Sequence, residues 1–351
     1  MSFSARFLET RKQTQDMQLD LDHLSRLQEV RGVEHFPPNE YYGLDLIFKY
    51  WLGIPPEQSL HFAVPHGVEI GDSKNLNLFT GREAVPILVY NHEIGRQIID
   101  DNHIPGWKAQ GEHGFLVLLH LLEMHNIFPT KNAETREILF FPPHNSDIWK
   151  LKDSKFDENV SKTLIEQYGS ANRIDISLPS ASLRSGRAAV FQKHGFRVVS
   201  AGDFRDPKFL SRFVNLVSDY DHILTQTIGS HIFFASAMNK RVTWLEHDVH
   251  PEMLVPTKID SEGNLRQKTR IHPKIHAFIN LLKLGENTHR ASLEILGQNF
   301  DLDHEKWVDL QRFGQLMDKC GILIPKGKIW VPAIPNMFKR KLQNFSGWCF
   351  K

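Results

Sequence analysis

Residues 195–245 read GFRVVSAGDFRDPKFLSRFVNLVSDYDHILTQTIGSHIFFASAMNKRVTWL, and this stretch decides the fold. Three short apolar runs stand in it, at 196–200, 222–225 and 241–245. They are rich in β-branched and aromatic residues, as strands buried on both faces are. Segments of helical length, 207–218 and 230–238, separate them. Just upstream, 174–178 adds a strand and 187–194 a helix. Strands that alternate with helices of this length form βαβ units, because parallel neighbours need a crossover connection. The rhythm is that of a doubly wound parallel sheet.

Further strands are expected towards the N-terminus at 61–64, 85–90 and 138–141, with helices at 114–125 and 161–168. The whole chain therefore reads as α/β, with two Rossmann-like domains facing a cleft. A polar, charged stretch at 150–159 (KLKDSKFDEN) suggests a boundary near residue 150. The expected division is a helical leader at 1–30, with one weak apolar face at Leu19, Leu21, Leu24 and Leu27. A first domain follows at 31–150, a second at 151–290, and a helical tail at 291–351 that crosses back to the first domain.

Bulk properties narrow the class. The 351 residues suit about two domains of ordinary size. With 41% hydrophobic and 24% charged residues, the chain has a globular composition. A net charge of +1 disfavours nucleic acid as a partner. The two cysteines, Cys320 and Cys349, form no CxxC pair, which excludes a zinc ribbon and suits a reducing compartment. The N-terminus carries charges throughout and lacks the apolar core of a secretory signal. The apolar run at 115–122, interrupted by His120, falls far short of the ~20 residues that span a bilayer. A soluble, cytoplasmic protein is expected. The basic and aromatic C-terminus, Phe338-Lys339-Arg340-Lys341 through Phe345, Trp348 and Phe350, could rest on the inner membrane face or pack back on the first domain.

Four stretches could carry chemistry. Residues 225–231 (TQTIGSH) follow a strand and open a helix. A helix N-terminus presents unpaired N–H groups and partial positive charge, which favours a phosphate. Thr227, Gly229, Ser230 and His231 are the candidates there, against the plainer reading that Thr227 or Ser230 merely caps the helix. Residues 141–146 (FPPHNS) leave another strand and offer His144, Asn145 and Ser146. Residues 64–69 (VPHGVE) follow a third strand and offer His66 and Glu69 as bases for an acceptor hydroxyl. The Gly-rich loop at 106–114 precedes a helix and carries Glu112 and His113 as weaker acid–base candidates. His247 and His250 flank Asp248, but no HExxH occurs, and no catalytic metal is expected. No GxSxG elbow is present, which disfavours an α/β-hydrolase.

In their order these stretches resemble bacterial cell-surface polysaccharide glycosyltransferases of the GT-B type, over roughly residues 40–310. The likeness rests on His66-Gly67, on Phe141, Pro142 and His144, and on the GFxVVxxG run ending at Gly202. It continues through the TxTIGSxxxxAxxxxKxV segment from Thr225 to Val242 and ends at Leu296-Gly297. The resemblance implies a nucleotide-sugar donor held by the C-terminal half and a glycan or lipid-linked glycan acceptor on the N-terminal half. No separate cofactor is implied. Ser180, Gly202 and Glu246, each after a strand, become candidates for base or ribose contacts. A CMP- or UDP-linked sugar would fit as donor. Pro143-His144 reverses the His-Pro order of transferases that use CMP-activated acidic sugars, and Ser230 stands single, which leaves that nucleotide open. A nucleotide-sugar epimerase or hydrolase, or a non-enzymatic polysaccharide-assembly protein, would share the same features.

Overall fold

The computed structural model describes residues 20–26, 28–68, 87–90, 108–129, 137–143, 155–245, 272–298 and 304–319. Its centre is a five-stranded, wholly parallel sheet. The strands are β3 (Ile138–Phe141), β4 (Ile174–Ser177), β5 (Arg197–Val199), β6 (His222–Thr225) and β7 (Arg241–Trp244), in the spatial order β5-β4-β3-β6-β7. The chain steps outward from β3 to β5, then returns to lay β6 on the other side of β3. Strand order reverses between β3 and β6, and that reversal opens a crevice at the carboxyl ends of the strands.

Helices cover both faces of the sheet, and apolar strand residues point into each layer. Ile138, Phe140, Ile174, Ile176, Val198 and Leu224 face one layer. Against them pack Phe156, Val160 and Leu164 of helix α4 (Phe156–Tyr168) and Phe191 of helix α6 (Arg187–Lys193). The alternate residues Leu139, Val199, Ile223 and Val242 face the opposite layer. Helices α7 (Phe209–Ser218) and α8 (Ser230–Ala237) lie there, as right-handed crossovers on a sheet wound in both directions require. Between β4 and α6 runs a short helix, α5 (Ser180–Arg184), which the sequence reading did not anticipate.

The rhythm expected for 174–245 is observed strand for strand. The N-terminal region is less regular. A two-stranded parallel pair, β1 (Ile87–Val89) and β2 (Lys108–Gln110), precedes helix α3 (Gly114–Met124). The strand expected at 61–64 is reduced to a contact in which the Leu88 N–H donates to the Ala63 carbonyl at 2.9 Å. Among the described residues, this pair is the only sheet apart from the five-stranded one. The strand at 138–141, on the N-terminal side of the boundary expected near residue 150, is central to the five-stranded sheet.

One apolar core joins the α7–α8 layer to helix α2 (Leu44–Leu52), to α3 and to helices α9 (Pro273–Leu284) and α10 (His289–Ile295). Helix α11 (His304–Lys319) packs Trp307 on Phe48 and Phe62, at ring separations of 5.2 and 5.7 Å. Gln311 on the same helix accepts the His61 N–H at 2.9 Å. Of the leader, helix α1 (Leu21–Ser25) buries Leu24 against the sheet's other layer. Among the described residues no helix is long and apolar enough to cross a membrane. The basic-aromatic segment at 338–350 lies outside the described residues.

One close approach fixes how the N-terminal region meets the sheet. Gly43, the N-cap of α2, has φ +74, and a Cβ there would lie 2.1 Å from the Pro207 carbonyl oxygen. The Gly43→Ala change adds a left-handed-region penalty of roughly 1–2 kcal/mol to that backbone collision. A loss of more than about 2 kcal/mol is expected in urea unfolding. An unchanged midpoint would mean that the two segments do not meet there.

Candidate functional site

A cavity of about 240 Å³ sits where the strand order reverses. Four strand ends build it: Phe141 and Pro142 after β3, residues 177–181 after β4, 201–205 after β5, and 229–231 opening α8. Tyr42, just before α2, closes one side. Ser180, Gly202, Gly229, Ser230 and His231 are thus gathered into one cavity. Thr227 is buried below it, its backbone bonded to the Thr225 hydroxyl, and does not line it. Glu69, His144, Asn145, Ser146 and Glu246 lie outside the described residues, as do His247 and His250. Arg187 holds the Pro143 carbonyl at 2.7 Å, which anchors the chain immediately before residue 144.

No side chain caps helix α8 at Gly229; the Ile232 N–H donates to the Gly229 carbonyl at 3.2 Å, and Ser230 and His231 open the helix at the cavity wall. The Ser230 hydroxyl oxygen accepts the Val68 N–H at 3.0 Å and is bonded to the Tyr42 hydroxyl. The His231 ring stacks on Phe141 at 4.8 Å, with Nε2 3.1 Å from the Thr225 hydroxyl. The sequence reading missed the opposite wall. There Asp203 accepts from Arg205 through both Nε and Nη2, at 2.9 and 3.0 Å, and from the Ser180 hydroxyl at 2.9 Å. Arg184 stands 3.7 Å from the same carboxylate. Burial opposes ionisation of Asp203, but these bonds outweigh it and hold its carboxyl below the usual range. Among the described residues, two guanidiniums thus meet one carboxylate on the wall that faces the positive end of a helix. A signal for this existed in the alternating charges of residues 203–206 (DFRD), directly after a strand.

Tyr42 had no such signal. Its φ of +64 is rare for a residue with a side chain. Its N–H donates to the Phe204 carbonyl at 2.6 Å, its ring stacks on Phe209 at 4.9 Å, and burial pushes its hydroxyl up to about 12. Tyr42 also meets His66, whose ring lies edge-on to Tyr41 and Tyr42 at 5.0 and 5.7 Å. His66 therefore lies beside the cavity, not in its lining. Among the described residues no group of three or more His, Cys, Asp or Glu side chains could hold a metal ion.

Burial lowers His66 to about 4, and His222 as well, with Arg241 adding to the effect on His222; burial and then His66 lower His113 to about 3. Each stays neutral in the folded chain as the pH drops below the ordinary 6.5, while the unfolded chain takes up the proton. Their contribution is whole above about pH 6.5 and is lost towards pH 4, by up to about 1.4 kcal/mol per pH unit for each histidine. Glu34 and Asp45, raised by burial, act in the opposite sense. The histidine share is therefore read as a difference. His222→Gln should flatten the acid-side decline of the urea midpoint, and an unaltered slope would contradict it.

No family model matches the chain, and no curated protein matches it. Among solved structures, a histidine-to-alanine variant of the wall teichoic acid polymerase TagF is similar at 12% identity. It covers 76% of this chain and 69% of its own length, with a TM-score of 0.33. The TagF structure itself is 14% identical over 66% of this chain and 57% of its own, with a TM-score of 0.31. At those values the functional reading rests on the cavity.

Proposed function

We propose that the chain is a glycosyltransferase that moves a sugar from a nucleotide-sugar donor to a hydroxyl of a glycan acceptor. One observation carries the reading. The cavity at the strand-order reversal pairs the uncapped start of α8 with Arg184 and Arg205, and walls the space between with Phe141, Phe209, Phe213 and Phe234. Helix N–H groups and guanidiniums suit phosphate oxygens. Aromatic walls suit a planar base. A nucleotide combines the two.

In the proposed reaction the acceptor oxygen attacks the anomeric carbon. The bond from that carbon to the donor's phosphate oxygen breaks, and its electron pair stays on the phosphate. The start of α8 and the two arginines stabilise this developing charge through fixed dipoles, with no metal taking part. The acceptor's proton passes to His66, whose low basicity leaves its ring neutral and able to accept at neutral pH. Bacterial surface polysaccharide is the proposed setting, with CMP or UDP as the carrier.

Product analysis tests the reaction. The purified chain is incubated with CMP- and UDP-linked sugars, with and without a glycan acceptor. The reading expects sugar on the glycan and an equal amount of released nucleotide, both dependent on acceptor. An altered sugar still attached to its nucleotide would identify an epimerase, and acceptor-independent release of free sugar a hydrolase. Either outcome overturns the reading, as does the absence of any consumption.

A further inference from the structure

Residues 111–114 (GEHG) open helix α3 and have no part in the reaction as proposed. Glu112 is buried and already engaged, with His120 Nε2 2.9 Å from its carboxylate. His113 is different. It is fully buried, and its Nδ1 accepts the Phe115 N–H at 3.0 Å, capping α3. A ring nitrogen that accepts carries no proton, so the neutral imidazole holds its proton on Nε2. That Nε2 is buried with no hydrogen-bond partner among the described residues. A buried donor left so is unfavourable, which marks it as made for a partner.

The surroundings say what kind of partner. Tyr90 stands edge-on to His113 at 5.0 Å, and its hydroxyl donates to the carbonyl of Gly67, the neighbour of His66. Phe234, which also lines the cavity, lies 5.3 Å from the His113 ring. A charge on His66 would oppose one on His113, and burial disfavours a charge on either. Among the described residues neither nitrogen of His66 is hydrogen-bonded. One neutral imidazole therefore offers a fixed donor, and beside it a second offers an unused acceptor.

We propose that His113 is a positioning residue of a hydroxyl-selective acceptor subsite, in which its Nε2–H donates to the acceptor's oxygen while that oxygen's own proton is directed at His66. This rests on the reading of His66 as the base. A hydroxyl both donates and accepts, so it answers both rings. A carboxylate only accepts and would leave His66 unmatched, and an ammonium only donates and would meet the His113 N–H. The ligand class is a neutral alcohol.

Nitrogen-15 NMR of the full chain with labelled histidine tests this without turnover, using glycerol and acetate as probes. The His113 signals should show the Nε2–H form from pH 5 to 8 and should move with glycerol but not with acetate. An Nδ1–H form, an equal response to acetate, or no response would overturn the assignment. His113→Asn keeps an acceptor for the Phe115 N–H but has no ring N–H. Where that variant melts like the parent, the acceptor KM should rise about tenfold or more, the value of one lost hydrogen bond, with nucleotide affinity unchanged. Transfer at an unchanged KM would sink this proposal alone. Absence of transfer in the parent chain would sink the reaction and leave the glycerol response as a separate result.

Discussion

Lys49→Met is expected to destabilise the folded chain by about 3–5 kcal/mol, because it removes the cation that bridges two buried carboxylates while leaving both in place. Lys49 is 1% exposed, with Nζ 2.6 Å from Glu34 and 3.0 Å from Asp45. It also donates to the Pro56 carbonyl at 3.1 Å. Arg31 reaches Asp45 from outside, but Glu34 has no second cation among the described residues. Glu34 in turn accepts the Leu60 N–H and the Asn39 amide, and Asn39 accepts the Val64 N–H. The same network thus carries the chain towards His66. Burial already raises both carboxyls, and loss of the lysine raises them further. The folded variant then takes up protons more readily than the parent, so the gap between their urea midpoints should narrow as pH falls from 7.5 to 5. A gap below about 1 kcal/mol at pH 7.5 would mean that Lys49 acts like a surface ion pair.

His66→Ala is expected to lower transfer by about 10²–10⁴-fold, the range that general-base groups contribute, with nucleotide affinity unchanged. The parent chain should show the acid limb of its kcat/KM profile near pH 4, because burial holds His66 there instead of at the ordinary 6.5. Folded protein must be verified by circular dichroism at each acid point, since the buried histidines weaken the fold in the same range. Intact turnover in the alanine variant would remove His66 from the chemistry. A limb near 6.5 would mean that its ring is more exposed to water in the working enzyme.

The sequence made the C-terminal sheet legible for a physical reason. Strands β3, β4 and β6 are buried almost throughout, so they read as short runs with helix-length gaps between them. Strand β3 was legible as a strand but not by its neighbours. Ile138 pairs with Ile174 and with His222, and no local signal records such distant choices. At 61–64, apolar character reflects burial in the shared core, not a place in a regular ladder.

The site divides the same way. Ser180, Gly202, Gly229, Ser230 and His231 were found by asking which small or polar residues follow parallel strands, since the carboxyl ends of such strands converge on one crevice. The arginines were missed because Arg184 lies on a short helix that no periodicity announces, and Arg205 gains its place only by pairing with Asp203. Tyr42 was missed because a positive φ at a tyrosine is imposed from outside, here by the Phe204 carbonyl and the stacked Phe209 ring. Its placement also moves His66 from the cavity lining to its flank.

The central claim is that the crevice at the strand-order reversal binds a nucleotide through the start of α8 and the arginine wall. Calorimetric titration of CMP, CDP, UDP, GDP and ADP into the parent chain and into the Arg184→Gln/Arg205→Gln double variant tests it most directly. The account predicts selective binding of one nucleotide by the parent, weakened at least about tenfold in the folded variant by loss of charge-assisted hydrogen bonds. Binding of no nucleotide at millimolar concentration, or equal binding by parent and variant, would contradict it.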